Sequence, residues 1–291
     1  MSLDHLRPYL ELDGICPNPV FIIGSPRSGT TALAHALGQH PELWVSKESY
    51  LLHQLYGNGR VERVWRHNTE RATPSWLRAE GVERAEFLGF LGLAVNALFS
   101  SRSAGRRWVD QTPLYTMMVD DLAGMFPGAS FLHIVRDGRS VVRSMSSFEN
   151  VFTGLEDTLL PDEIPPWAGD FRLACETWAE SVEVASRFGT AHPARYLAVR
   201  NEDLAADPEA GFARIHTFLG VRSDDGPARS FGGRRINSSF GRRGSQPHDR
   251  RQDDWTPARR RVFVDIAGDT LIGVGYASAG ELEHWVARET A

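Results

Sequence analysis

The chain has 291 residues, 42% hydrophobic and 24% charged, with a formal net charge of −5 at pH 7. That length and apolar content suffice for one substantial α/β core, so a single domain over 1–291 is expected, and the acidic balance excludes a general nucleic-acid binder. Two cysteines, Cys16 and Cys175, make no disulfide framework; no apolar signal core follows a basic start; and the longest uncharged apolar run, Phe87–Ser101, is too short for a bilayer span, so a soluble, cytoplasmic protein is expected.

After an N-terminal extension over 1–18, Val20-Phe21-Ile22-Ile23 reads as a buried strand. It runs into Gly24-Ser25-Pro26-Arg27-Ser28-Gly29-Thr30-Thr31, and Ala32, Leu33, Ala36 and Leu37 then fall at helical spacing. Strand, turn and helix with Gly24-x4-Gly29 have the spacing of a phosphate-binding loop, in which glycines let backbone N–H groups and a helix dipole surround an anion. Thr30 stands where nucleotide triphosphatases carry a lysine, so the loop should hold one phosphate without triphosphatase chemistry. Its only cation, Arg27, is placed to reach round that anion.

Leu43–Val45 predicts a second strand and Glu48–Tyr56 a helix or turn beyond it. Residues 57–81 read as an irregular polar and aromatic insertion, and Glu83–Ser100 as a helix. Arg107–Val109 predicts a third strand ending in Asp110-Gln111-Thr112-Pro113, whose proline starts a helix carrying Leu114, Met117, Met118 and Leu122. Ser130–Val135 is a strand followed by Arg136-Asp137-Gly138 and a helix through Ser146. Residues 149–167 have no clear period. Helices over Phe171–Phe188, Pro208–Leu219 and Arg259–Ile272 surround a fifth strand at Tyr196–Val199. Strands alternating with helices imply a P-loop-like, doubly wound parallel sheet flanked by helices, with ligands at the carboxyl ends of the strands.

Arg136 closes a strand, and Ser144 follows about two helical turns later. Helical side chains tilt toward the N-terminus, so this serine can look back at Arg136 and the pair can grip one phosphate. A carboxylate at Glu48, after the second strand, suits removal of a hydroxyl proton, with His53 as a weaker candidate one helical turn on.

The segments PRSGTT and IVRDGRSVVRSM resemble those of sulfotransferases that use 3′-phosphoadenosine 5′-phosphosulfate (PAPS), most of all the branch containing tyrosylprotein and heparan-type enzymes and bacterial relatives. The resemblance runs from Pro19 to about Tyr276. It implies PAPS as co-substrate and 3′-phosphoadenosine 5′-phosphate as product, with Arg27, Ser28, Gly29, Thr30 and Thr31 at the 5′-phosphosulfate and Arg136 and Ser144 at the 3′-phosphate. It makes Glu48 the base and sets Arg27 on the leaving oxygen. A late loop containing Ser239, Arg242 and Arg243 is expected to cover the nucleotide, within a stretch, 234–261, of nine arginines and three acids.

Two positions depart from the family pattern. Gln111 stands where relatives usually present a transition-state lysine, and Asn201, in Val199-Arg200-Asn201-Glu202-Asp203-Leu204, where a tyrosine commonly approaches the nucleotide. Lys47 is the sole lysine among 32 basic residues and adjoins Glu48, so it is expected to supply the missing cation. The function implied is sulfuryl transfer to a hydroxyl by in-line displacement, with no metal. The alternatives are a P-loop small-molecule kinase, which Thr30 and the lack of a clear magnesium-binding acid at a strand end disfavour, and a catalytically silent nucleotide-binding protein. Trp65, Trp76, Phe148, Phe152 and Trp167 in the segments 57–81 and 149–167 predict a cleft for a small hydrophobic or aromatic acceptor. The near-exclusive use of arginine fits a bacterial genome of the actinobacterial type, with a lipid or secondary metabolite as acceptor. Nothing in the sequence specifies an oligomeric state.

Overall fold

Strand β1 (Val20–Ile23) is buried along its whole length, as a central strand covered on both faces must be. The computed structural model describes residues 14–70, 75–147, 165–233 and 255–288. Around β1 lie β2 (Leu43–Val45), β3 (Arg107–Asp110), β4 (Ser130–Val135) and β5 (Tyr196–Arg200), all parallel, in the order β2-β3-β1-β4-β5. The chain therefore fills one side of β1 first and then crosses to the other. That reversal opens a crevice at the carboxyl end of β1, where doubly wound sheets bind ligands.

Alternation along β1 sends Phe21 and Ile23 to one face and Val20 and Ile22 to the other. The first face packs Phe21 against Trp108, Phe126 and Phe131, with ring centroids 5.4, 5.2 and 5.6 Å away. The second packs against Leu33 and Leu37 of α1 (Thr30–Leu37) and against Phe212 and Ile215. A third cluster, with Trp167, Trp178, Trp255, Phe263 and Trp285, backs the helix that follows β4. Each such buried side chain contributes about 1.5–3 kcal/mol of transfer free energy.

Three stretches differ from the sequence expectation. Residues 57–81 hold two helices, α3 (Arg60–Thr69) and α4 (Trp76–Ala79); in α3, Val61 buries into the first cluster and Trp65 packs on Phe87, ring centroids 5.4 Å apart. After Pro113 a 3₁₀ turn, Pro113–Met118, precedes the α-helix Val119–Met125. Helix α2 (Leu51–Tyr56) begins only at Leu51, which leaves Glu48 in the irregular connection before it. Among the described residues, no helix is long and apolar enough to cross a membrane.

Candidate active site

The turn after β1 is shaped by its backbone. Gly24 has φ +148°, and a Cβ there would lie 2.5 Å from the Ile134 carbonyl oxygen of the neighbouring strand. Gly29 adopts φ +105° against the Asn201 amide, a conformation that glycine alone enters without strain. Thr116 clamps the turn's start: its hydroxyl accepts from Gly24 N at 2.8 Å and donates to Gly24 O at 3.1 Å. Asn201 Nδ2 donates to Ser28 O at 3.2 Å and fastens the turn's end. Asparagine at this position therefore braces the loop, whatever it offers a ligand.

No side chain caps the N-terminus of α1, so its first-turn N–H groups face the loop without a capping oxygen. Ser28 is buried, and its hydroxyl finds no partner among the described residues. Buried polar groups are rarely left so, and an anion in the loop would satisfy it.

Arg27 and Arg136 converge here, although they lie on separate strand ends. Arg27 Nε donates to Ser144 Oγ at 3.1 Å, and Arg136 Nη1 donates to the Arg27 carbonyl at 3.2 Å. The two grips that sequence spacing suggests as separate are thus one continuous cationic surface. Burial first, and then the neighbouring Arg136 charge, push the Arg27 guanidinium below its ordinary range, while Glu48 acts the other way. Glu48 therefore lies close enough to Arg27 for their charges to interact.

Arg136 is held firmly. Its carbonyl accepts from Trp178 Nε1 at 3.2 Å, and Asp137 N donates to Glu202 Oε1 at 3.2 Å. Asp137 also caps the next helix, α7 (Gly138–Ser146), through Arg139 N at 2.9 Å, and pairs with the Arg139 guanidinium at 2.6 Å. The helix that carries Ser144 is fixed at its first residue.

The other wall is built on Asp110, which closes β3 fully buried. Ser49 Oγ donates to Asp110 Oδ2 at 2.8 Å; Thr112 N and Thr112 Oγ1 donate to Asp110 Oδ1 at 3.0 and 2.9 Å. Ser49 N donates to Thr112 Oγ1 at 3.2 Å, and Tyr115 OH lies 2.8 Å from Ser49 Oγ. Desolvation raises the Asp110 carboxyl against these hydrogen bonds, and burial pushes the Tyr115 phenol up to about 12. An acid does therefore end a strand beside the loop. Both its oxygens are engaged by Ser49 and Thr112, and the described residues contain no cluster of three or more metal-ligating side chains. The network pins Ser49, and with it Glu48 beside it.

The remaining expected site residues fall as follows. Ser28 and Thr30 are buried, while Arg27, Thr31, Glu48, Arg136 and Ser144 are half-buried around the loop. Lys47 is exposed, and none of the described hydrogen bonds or ion pairs involves it. His53 turns to the far end of its helix, against Gly57 and hydrogen-bonded to Asn58. Gln111 is buried, and its amide oxygen has no partner among the described residues. Of the aromatics expected to line an acceptor cleft, Trp65 and Trp167 are packing residues, whereas Trp76 is 70% exposed. Phe148, Phe152, Ser239, Arg242 and Arg243 lie outside the described residues. Thr116, Tyr115 and Ser49 went unrecognised in the sequence, because partners 61 to 92 residues apart leave no local pattern.

Comparison with known proteins gives this geometry a lineage. The chain is 33% identical over 144 residues to nodulation protein NoeE of Sinorhizobium fredii, covering 46% of this chain and 32% of that protein. It is 26% identical over 216 residues to protein-tyrosine sulfotransferase A of Caenorhabditis elegans, covering 71% and 50%. It thus spans a third to a half of the length of these relatives. Sulfotransferase STF9 from Mycobacterium avium shares the fold at 14% identity, with a TM-score of 0.53 over 91% of this chain and 80% of that one. A model of the sulfotransferase family matches residues 19–225. Since that match runs without a break from the strand before the loop to beyond the last strand of the sheet, the chain belongs to the sulfotransferase family.

Proposed function

We propose that this protein transfers a sulfuryl group from PAPS to a hydroxyl of a small, hydrophobic acceptor by in-line displacement, as a single domain with segments 57–81 and 149–167 on the acceptor side. One observation carries the reading. Two arginines crowd the glycine loop against their mutual repulsion, beside a buried serine hydroxyl that has no partner among the described residues. A bound phosphate would relieve both penalties.

The residues present fit PAPS, which supplies the sulfuryl group and an anionic leaving group when bound. Arg27, Ser28, Gly29, Thr30 and Thr31 would hold its 5′ end through side chains and backbone N–H groups. Arg136 and Ser144 would hold the 3′-phosphate. Ser144 Oγ accepts from Arg27, which leaves its own proton to donate to an anion. Arg27 is aimed at charge that grows on the departing oxygen, a task for a fixed cation in a site of low dielectric. Glu48 takes the proton of the acceptor hydroxyl. Lys47 offers the positive charge that Gln111 cannot. A soluble, cytoplasmic enzyme of bacterial secondary metabolism is the setting that suits these parts.

The reading is tested by ligand-induced thermal shifts and by label transfer. 3′-Phosphoadenosine 5′-phosphate should raise the melting temperature, with no shift from ATP and magnesium. Labelled sulfuryl groups should pass from PAPS to members of a panel of phenols and alcohols. The reverse thermal pattern points to a kinase, and binding without transfer to a silent nucleotide-binding protein.

A further inference from the structure

Glu48 already has a hydroxyl on its carboxylate. Tyr50 OH donates to Glu48 Oε2 at 2.5 Å, and the two residues flank Ser49, which Asp110, Thr112 and Tyr115 hold in place. Tyr50 takes φ +52°, a left-handed backbone that a tyrosine rarely adopts, and this turn brings its side chain back over residue 48. Tyr50 is 39% exposed, so it lies at the surface and not in the core. Within the reading above, the proton donated to Glu48 must come from the acceptor. The chain's own phenol now makes that same interaction, on the carboxylate that Arg27 feels from inside the pocket.

We propose that Tyr50 is a specificity-determining residue that holds the acceptor's place on Glu48, and that acceptors enter by displacing its hydroxyl. A phenol reproduces both the hydrogen bond and the flat ring that Tyr50 gives up, so phenolic acceptors are the class this site takes best. An aliphatic alcohol replaces only the hydrogen bond. This inference rests on Glu48 being the base.

Steady-state kinetics with saturating PAPS, a phenol such as 2-naphthol and an aliphatic alcohol of similar size test it in wild type, Tyr50→Phe and Glu48→Gln. Tyr50→Phe keeps the ring and removes the competing hydroxyl. It should lower the acceptor KM by about tenfold, the worth of one hydrogen bond to a charged group, with kcat within about twofold. In wild type the phenol should be preferred in kcat/KM. An unchanged or raised KM in Tyr50→Phe, or a fall in kcat, overturns the proposal and leaves Tyr50 a support for Glu48. Glu48→Gln separates the two levels: if it retains full turnover, the base assignment itself fails. The thermal shift given by 3′-phosphoadenosine 5′-phosphate should be the same in all three proteins, which shows that each variant folds.

Discussion

The two walls of the crevice are built by different means. On the side of the glycine loop, a turn, a helix start and the end of β4 make the surface from backbone. Its side chains Arg27, Arg136 and Ser144 come from two short segments. On the opposite side, Glu48 sits in a loop that has no regular structure of its own. It is positioned by Ser49, Asp110, Thr112 and Tyr115, gathered across 60 residues and more. A backbone cradle tolerates little variation, because its shape depends on glycines at positive φ. A side-chain network can be exchanged piece by piece, which is where a family can change its acceptor while keeping its donor.

Replacing the cation nearest the chemistry gives the largest expected contrast. Arg27→Ala should cut turnover by about 10³-fold, the range seen when a charge-stabilising donor is lost, and weaken product-nucleotide binding as well. Glu48→Gln should lower kcat by about 10² to 10³-fold while the thermal shift from that nucleotide stays intact. If the glutamine variant loses nucleotide binding too, the two walls are not separable as described.

Next in size is Arg136→Ala, expected to weaken binding of 3′-phosphoadenosine 5′-phosphate by about 10 to 100-fold by calorimetry while leaving adenosine 5′-phosphate nearly unaffected. Equal losses for both nucleotides would move Arg136 away from the 3′-phosphate. Ser49→Ala and Lys47→Ala are expected to lower kcat by about tenfold at unchanged nucleotide affinity, the first by loosening Glu48 and the second by removing a charge. Full turnover in Lys47→Ala would show that the lone lysine is a surface residue.

A further effect, read on stability and not on turnover, belongs to neither wall. His133, on β4, is fully buried, hydrogen-bonded to Tyr196 OH at 2.5 Å through Nδ1, and burial lowers it from 6.5 to about 3. The unfolded chain therefore binds a proton that the fold refuses between those values. Stability is full above pH 6.5 and declines as pH falls toward 3, with a slope of up to about 1.4 kcal/mol per pH unit from this group. His133→Gln should flatten the melting-temperature profile over that window. An unchanged slope would trace the acid sensitivity to other groups.

Much of the glycine-loop side was legible from the chain alone. Val20–Ile23 followed by Gly24 and Gly29 announces strand, anion turn and helix, since each depends on neighbours within ten residues. Arg136 and Ser144 share one strand–helix junction for the same reason. The parallel sheet and all five strands also followed, from short apolar runs alternating with helical patterns. The helices at 60–69 and 76–79 did not; the first is held by burial of Val61 and packing of Trp65 on Phe87 more than by any periodic pattern.

Sequence by itself determined the strand, glycine turn and helix start, because such a turn is a matter of backbone conformation and contiguous residues. Tertiary structure alone decided that Arg27 meets Ser144, that Asp110 is hydrogen-bonded to the loop of Glu48, and that Tyr50 lies on the carboxylate. Those facts depend on which strand ends the fold sets side by side, and spacing along the chain carries no record of that.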